Sequence, residues 1–208
     1  MQPPRPDRPP RKRRSDGERS SEAILREAAK LATVEGLDGL SIARLADAVG
    51  MSKSGLFAHF GSKEELQLAT IETARALFDE LVVLPAAGAT TPLERLRQLT
   101  ENYLGYVDGT FPGGCFFASL VPEVDTRPGP VRDAALSFMA DWLGELETTV
   151  RDAQRADELD DREDAQQLVF EIEASLFLGN ALWVAGHGST ALDRARHAIE
   201  RRLAAAAV

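Results

Sequence analysis

Side chains able to do covalent chemistry are few in this 208-residue sequence. It holds one cysteine, Cys115, and three histidines, His59, His187 and His197. None of them stands at the spacing of a metal site. There is no nucleophile elbow and no phosphate loop. Cys115 follows two glycines and precedes two phenylalanines, and the acids Glu123 and Asp125 come before any base. Nothing in that setting lowers a thiol pKa, so Cys115 reads as a small buried apolar residue. No metal or cofactor is expected, and a helical enzyme using Cys115 with His187 is the outlying alternative. The residues with a definite chemistry are small and polar: Ser52, Lys53, Ser54 and Gly55. At the start of a helix they offer hydrogen-bonding groups and a positive helix end to phosphates and base edges. They lack the bulk that would hold the helix out of a DNA groove.

Such a helix needs a brace and a turn. The segment 41–60, SIARLADAVGMSKSGLFAHF, supplies both. Ser41 is a natural N-cap. Ile42, Leu45, Ala46 and Val49 follow the i, i+3, i+4, i+7 pattern of a helix with one apolar face. Gly50 makes the turn, Ser52 caps the next helix, and Leu56, Phe57 and Phe60 follow. Upstream, Ile24, Ala28 and Leu31 place a helix over about 21–35, ended by Gly36. Downstream, Ser62 and Glu65 form a capping box for a fourth helix running to about residue 84.

Charge is unevenly spread. Residues 1–63 carry 12 Lys+Arg and 8 Asp+Glu, net +4, while residues 64–208 carry 12 and 25, net −13. A basic end on an acidic body points toward nucleic acid even though the whole chain is net −9. Residues 1–19, with five prolines and the run Arg11-Lys12-Arg13-Arg14, are expected to be a disordered basic arm that contacts DNA phosphate. The N-terminus does not resemble a secretory signal, and no uninterrupted apolar run has the length of a membrane span.

After a linker at 85–90, helices are expected at about 91–107, 115–121, 130–156, 162–186 and 190–205. No period-2 strand and no internal repeat is found. The fold class is therefore all-α. Three parts are expected: an arm (1–19), a three-helix helix-turn-helix DNA-binding domain (20–63), and a helical-bundle domain for ligand binding and dimerisation (64–208).

Residues 24–71 resemble the TetR family of transcriptional repressors. The resemblance is carried by Ala28, Ala29 and Leu31, by the segment 36–46 (GLDGLSIARLA), and by the block 50–66 (GMSKSGLFAHFGSKEEL). It implies a cytoplasmic bacterial regulator that binds double-stranded operator DNA as a homodimer and answers to a small-molecule effector. It places Ser41 and Lys63 on phosphates, Ser52, Lys53, Ser54 and Gly55 in the major groove, and His59 near the DNA backbone. Phe57 stands where the family usually has a tyrosine, and it cannot donate that hydroxyl to a phosphate. The stretch 113–133 is similar to a subset of the family.

Two expectations concern the acidic body. Tyr103, Phe138, Trp142 and Phe177 are expected to converge on an apolar cavity, with Asn102, Ser137 and Asn180 as polar anchors. The effector would then be apolar or aromatic and not strongly anionic. The last two helices are expected to form a two-fold interface through the face bearing Leu168, Ile172, Leu176, Gly179 and Trp183, aided by the small residues Ala174, Ser175 and Ala181. A ligand-blind architectural DNA-binding protein is the main rival reading.

Overall fold

The computed structural model describes the backbone of residues 11–124 and 128–208, and side chains from Ser21 onward. Its α-helices, in chain order, are α1 (Arg11–Glu35), α2 (Ile42–Val49), α3 (Lys53–Phe60), α4 (Lys63–Phe78), α5 (Pro92–Gly109), α6 (Phe116–Val124), α7 (Pro130–Arg155), α8 (Ala165–Leu182) and α9 (Ser189–Ala206). The extended pairing among the described residues is one isolated bridge between Leu159 and Ala207.

The caps lie where the side-chain chemistry puts them. Ser41, Ser52, Ser62 and Thr91 each accept a hydrogen bond from the amide three residues on, opening α2, α3, α4 and α5. Such caps contribute about 1 kcal/mol each. Gly50 (φ 67°) closes α2 in the left-handed region that a side chain would disfavour. Boundaries differ from expectation in three places. Helix α4 ends at Phe78, short of the expected residue 84 or so, and the chain winds on as a wider π-type turn over Asp79–Val83. Helix α1 starts at Arg11, so residues 11–19 are helical rather than disordered; they are mostly strong helix formers, free of the prolines that precede them. The remainder of the expected arm, residues 1–10, lies outside the described residues. The 85–90 linker is partly coiled as a short 3-10 turn (Pro85–Gly88) that buries Ala86.

Helices α1–α3 and the first half of α4 enclose one core. Ala28, Ala29, Leu37, Leu40, Leu45, Ala46, Leu56 and Leu66 are all buried there. Helix α4 then leaves this unit and ends in the body, where Phe78 is met edge-on by Tyr103, Tyr106, Phe117, Phe138 and Trp142 at centroid distances of 5.0–6.5 Å.

Helix α8 has two apolar sides. Leu168, Ile172, Leu176 and Gly179 are buried within the chain. A Cβ on Gly179 would sit 2.8 Å from the Ala195 Cβ of α9, so glycine is what lets the two helices approach. The expected dimer face is corrected by this: Leu168, Ile172, Leu176 and Gly179 are buried inside the protomer, Gly179 against α9, and Trp183 Nε1 donates to Asp108 Oδ1 in the same chain (3.0 Å). A second stripe, Phe170, Ala174, Phe177, Leu178, Ala181 and Val184, is exposed. Together the two stripes make residues 165–187 long and apolar enough, on length and mean hydropathy (1.5) alone, to cross a membrane. The inner stripe, however, is occupied by protein.

Where α1 passes the α5–α6 loop, a Cβ on Gly113 would fall 2.0 Å from the Thr33 carbonyl oxygen. Gly113→Ala must push α1 away from the body. It is expected to cost about 1–3 kcal/mol, as overpacking does, read as a lowered denaturation midpoint.

Candidate nucleic-acid interface and effector groove

The expected DNA-contacting residues collect around the start of α3. Ser52, Lys53, Ser54 and His59 are exposed, as is Phe57 at 55 %. Leu56 and Phe60 turn inward and seat the helix. Ser52 Oγ accepts the Gly55 amide (3.1 Å) and lies 3.3 Å from Ser54 Oγ, so the two hydroxyls share one edge. Gly55 keeps that edge open, since a Cβ there would lie 3.0 Å from Ser52 Oγ. Ser41 is half-buried, its hydroxyl accepting the Arg44 amide (3.2 Å). Lys63, although exposed, donates to the Asp38 carbonyl at 2.7 Å, so in this state its ammonium braces the α1–α2 turn.

Other groups hold the reading head in place, and sequence reasoning missed them. Arg44 on α2 forks onto Glu35 at the end of α1, with Nε 3.0 Å from both carboxylate oxygens, and this hydrogen bonding pulls the Glu35 pKa down. Gln67 on α4 donates to the Leu37 carbonyl (2.8 Å). Glu123 on α6 accepts both the Leu37 and Asp38 amides. None has a local signature, because the partners lie 9 to 86 residues apart in the chain.

In the body, the four aromatics expected to line one cavity do not converge. Tyr103, Phe138 and Trp142 pack around Phe78, with Tyr103 and Trp142 stacked at 6.1 Å. They leave only a cavity of about 140 Å³ beside Arg75, Asp79 and Asp141. Phe177 faces elsewhere, onto an open groove of about 500 Å³ between α7 and α8. Met139, Leu143, Val169, Phe170 and Phe177 form its apolar walls, and Glu147 and Glu173 are its acids, with no basic residue in its lining. Of the expected anchors, Asn102 donates to the Val82 carbonyl (3.0 Å), Asn180 accepts the Cys115 amide (2.8 Å), and Ser137 is exposed on α7.

The groove's distinctive group is Glu173. Trp142 Nε1 donates to its Oε2 at 2.9 Å, but burial among apolar walls outweighs that bond and pushes its pKa up to about 7. Behind it, Cys115 is buried, and desolvation raises its thiol to about 11, beyond nucleophilic use at neutral pH. His187 is exposed in the turn after α8, a poor setting for the Cys115–His187 alternative.

A capped, exposed recognition helix braced by two others and mounted on a helical bundle defines a helix-turn-helix regulator of transcription. Residues 24–70 match the family described as bacterial regulatory proteins, tetR family. Residues 92–199, over half of the chain, match the tetracyclin repressor-like C-terminal domain. The protein belongs to the TetR family. Transcriptional regulator AcuR of Cereibacter sphaeroides is 24% identical over 176 residues, 84% of this chain and 76% of that protein. A TetR transcriptional regulator from Chloroflexus aurantiacus superposes with a TM-score of 0.81 at 24% identity, covering 91% of this chain and 95% of that one. AibR, solved in complex with isovaleryl coenzyme A and operator DNA, superposes with a TM-score of 0.65 at 23% identity, covering 82% and 96%.

The raised Glu173 pKa has a fixed sign in stability. A carboxyl whose pKa rises from 4.5 in the unfolded chain to about 7 on folding favours the fold below pH 4.5, and this support is lost as pH rises through 7. Glu173→Gln should therefore raise the melting temperature at pH 8 and have little such effect at pH 4.5. Thermal denaturation across that range is the check.

Proposed function

We propose that this protein is a ligand-responsive repressor. As a cytoplasmic homodimer it binds a palindromic operator and is released by a small apolar or aromatic effector. One observation carries the reading: an exposed Ser-Lys-Ser-Gly helix start, small enough to enter the major groove, stands on a body with an open apolar groove. Lys53 and Ser54 read base edges. Ser52 and Gly55 let the helix seat deeply, and Ser41, Lys63 and His59 approach the DNA backbone, Lys63 by leaving the Asp38 carbonyl. The effector seat is the α7–α8 groove, with Phe177 as one wall and Trp142 reached through its bond to Glu173; Tyr103 and Phe138 back it from the core. The acidic, base-free lining favours uncharged apolar ligands over anionic ones. AibR's complex with an acyl thioester and operator DNA is a precedent for pairing effector and operator on this fold. Effector action is population shift: a ligand preferring protomers whose reading heads are mis-spaced weakens operator binding.

Dimerisation uses the last two helices, through Leu178, Ala181 and Val184 on the exposed stripe of α8, beyond the groove walls Phe170 and Phe177, and the outward side of α9. An apolar stripe of that length on a soluble helix is the mark of a partner surface. Two short recognition helices must stand roughly 34 Å apart to read one palindrome, which a shared four-helix interface can impose.

Lys53→Ala and Ser54→Ala should each cost about 1–3 kcal/mol of operator affinity and relax preference at one base position, read by mobility-shift titration on DNA selected from a random pool. Unchanged binding would remove the base-reading assignment, and absence of any selected sequence would favour the architectural reading. The paired change Leu178→Asp with Val184→Asp, both exposed and outside the groove lining, should convert a dimer mass to a monomer mass in light scattering. A wild-type chain that is already monomeric at micromolar concentration would rule the dimer out.

A further inference from the structure

The turn between α1 and α2 is held from two sides. Its carbonyls are taken by α4: Gln67 Nε2 donates to Leu37 at 2.8 Å and Lys63 Nζ donates to Asp38 at 2.7 Å. Its amides are taken by the body: Leu37 donates to Glu123 Oε2 at 2.9 Å and Asp38 to Glu123 Oε1 at 2.6 Å. Both oxygens of one carboxylate are thus used on two successive amides, which fixes the turn's rotation as well as its position. Gly36, at φ +78°, admits the carboxylate, since a Cβ there would crowd both oxygens at 3.2 Å. Helix α2 starts from this turn at its Ser41 cap and carries α3 with it. At its other end, α6 follows Cys115, whose amide is held by Asn180 of α8, and Gly113, whose amide donates to the Thr33 hydroxyl of α1 (3.3 Å).

We propose that Glu123 is a positioning residue for DNA recognition. By gripping the Leu37 and Asp38 amides it sets how α2 and α3 are presented from the body, and hence the separation of the two recognition helices in the dimer. The proposal rests on the dimeric, palindrome-reading function above. A rigid head accepts one half-site spacing, whereas a head released from α6 can follow several.

The test uses the full-length chain and the palindrome recovered by selecting bound duplexes from a random pool, together with versions one base pair longer and shorter between half-sites. The wild-type protein should lose about tenfold in affinity on either altered spacing, a penalty of the size that a mismatched site carries. Glu123→Ala should lose less than about threefold on the same pair, with amide exchange at Leu37 and Asp38 accelerated and the oligomer mass unchanged. Glu123→Gln keeps a single carbonyl acceptor and should fall between them; it also decides the matter if the alanine variant does not fold. A wild-type spacing ratio in the folded variants would overturn the proposal, as would an equal loss on all three spacings, which a merely stabilising contact would produce. Recovery of unpaired half-sites alone would overturn the dimeric reading and this proposal together. A recovered palindrome with an unchanged ratio would overturn only the role of Glu123.

Discussion

The edge-on packing of five aromatic rings around Phe78 is the contact on which the arrangement of the molecule turns. Phe78 is the last residue of α4, the helix whose first turns form part of the reading head. Its ring is enclosed by α5, α6 and α7 at once. Removing it would free the far end of α4 and leave a void that its neighbours could not close without moving those helices. The head is therefore attached by a shared helix anchored at the centre of the body. The cost is that the aromatic surface which could have lined a cavity is spent on structure, leaving the groove between α7 and α8 as the larger open space beside these rings.

Helix α3 has eight residues, too few to be stable alone in water. Its geometry is borrowed: Leu56 and Phe60 from the shared core, the Ser52 cap from its own first turn, and α2 from the Arg44–Glu35 fork and the turn at residues 36–41. Small polar residues can occupy its outer face because none of the holding is asked of them. Charge is divided as well. The basic excess of residues 1–63 falls entirely on residues 1–19, with 7 Lys+Arg against 3 Asp+Glu, whereas residues 20–63 balance at 5 and 5, and acids dominate the body and line its groove.

Much of this was legible in the sequence. Period-3.6 apolar spacing with Ser, Thr and Gly at the boundaries placed α2, α3, α5 and the start of α4 almost to the residue, because caps and left-handed glycines act within one turn of chain, whereas the end of α4 at Phe78 carries no such local mark. The start of α1 was missed since a proline- and arginine-rich composition outweighed the helix-forming residues after Pro10. The body was read less well, for a physical reason. Tyr103, Phe138, Trp142 and Phe177 all sit on apolar faces, and periodicity cannot say whether such a face meets another side chain or a void. For α8, counting apolar residues could not separate two stripes about a quarter-turn or more apart, so Leu168 and Ile172 were assigned to the outside and Phe170 and Leu178 were overlooked. Glu123, Glu173 and Gln67 had no signal at all, their roles depending on partners 30 or more residues away.

The double membership of α4 also bears on how such proteins can be recombined. A cut at residue 63 looks natural by sequence, but it would strip the head of Leu66, Thr70 and Ile71, all buried, and would leave Leu37 without its Gln67 bond. A transplantable head must take α4 with it, yet α4 ends in a socket of five rings belonging to the recipient. Exchange of reading heads between relatives is thus constrained at a seam well inside the body: the donor's final α4 turn and the host's aromatic socket have to be inherited as a matched pair.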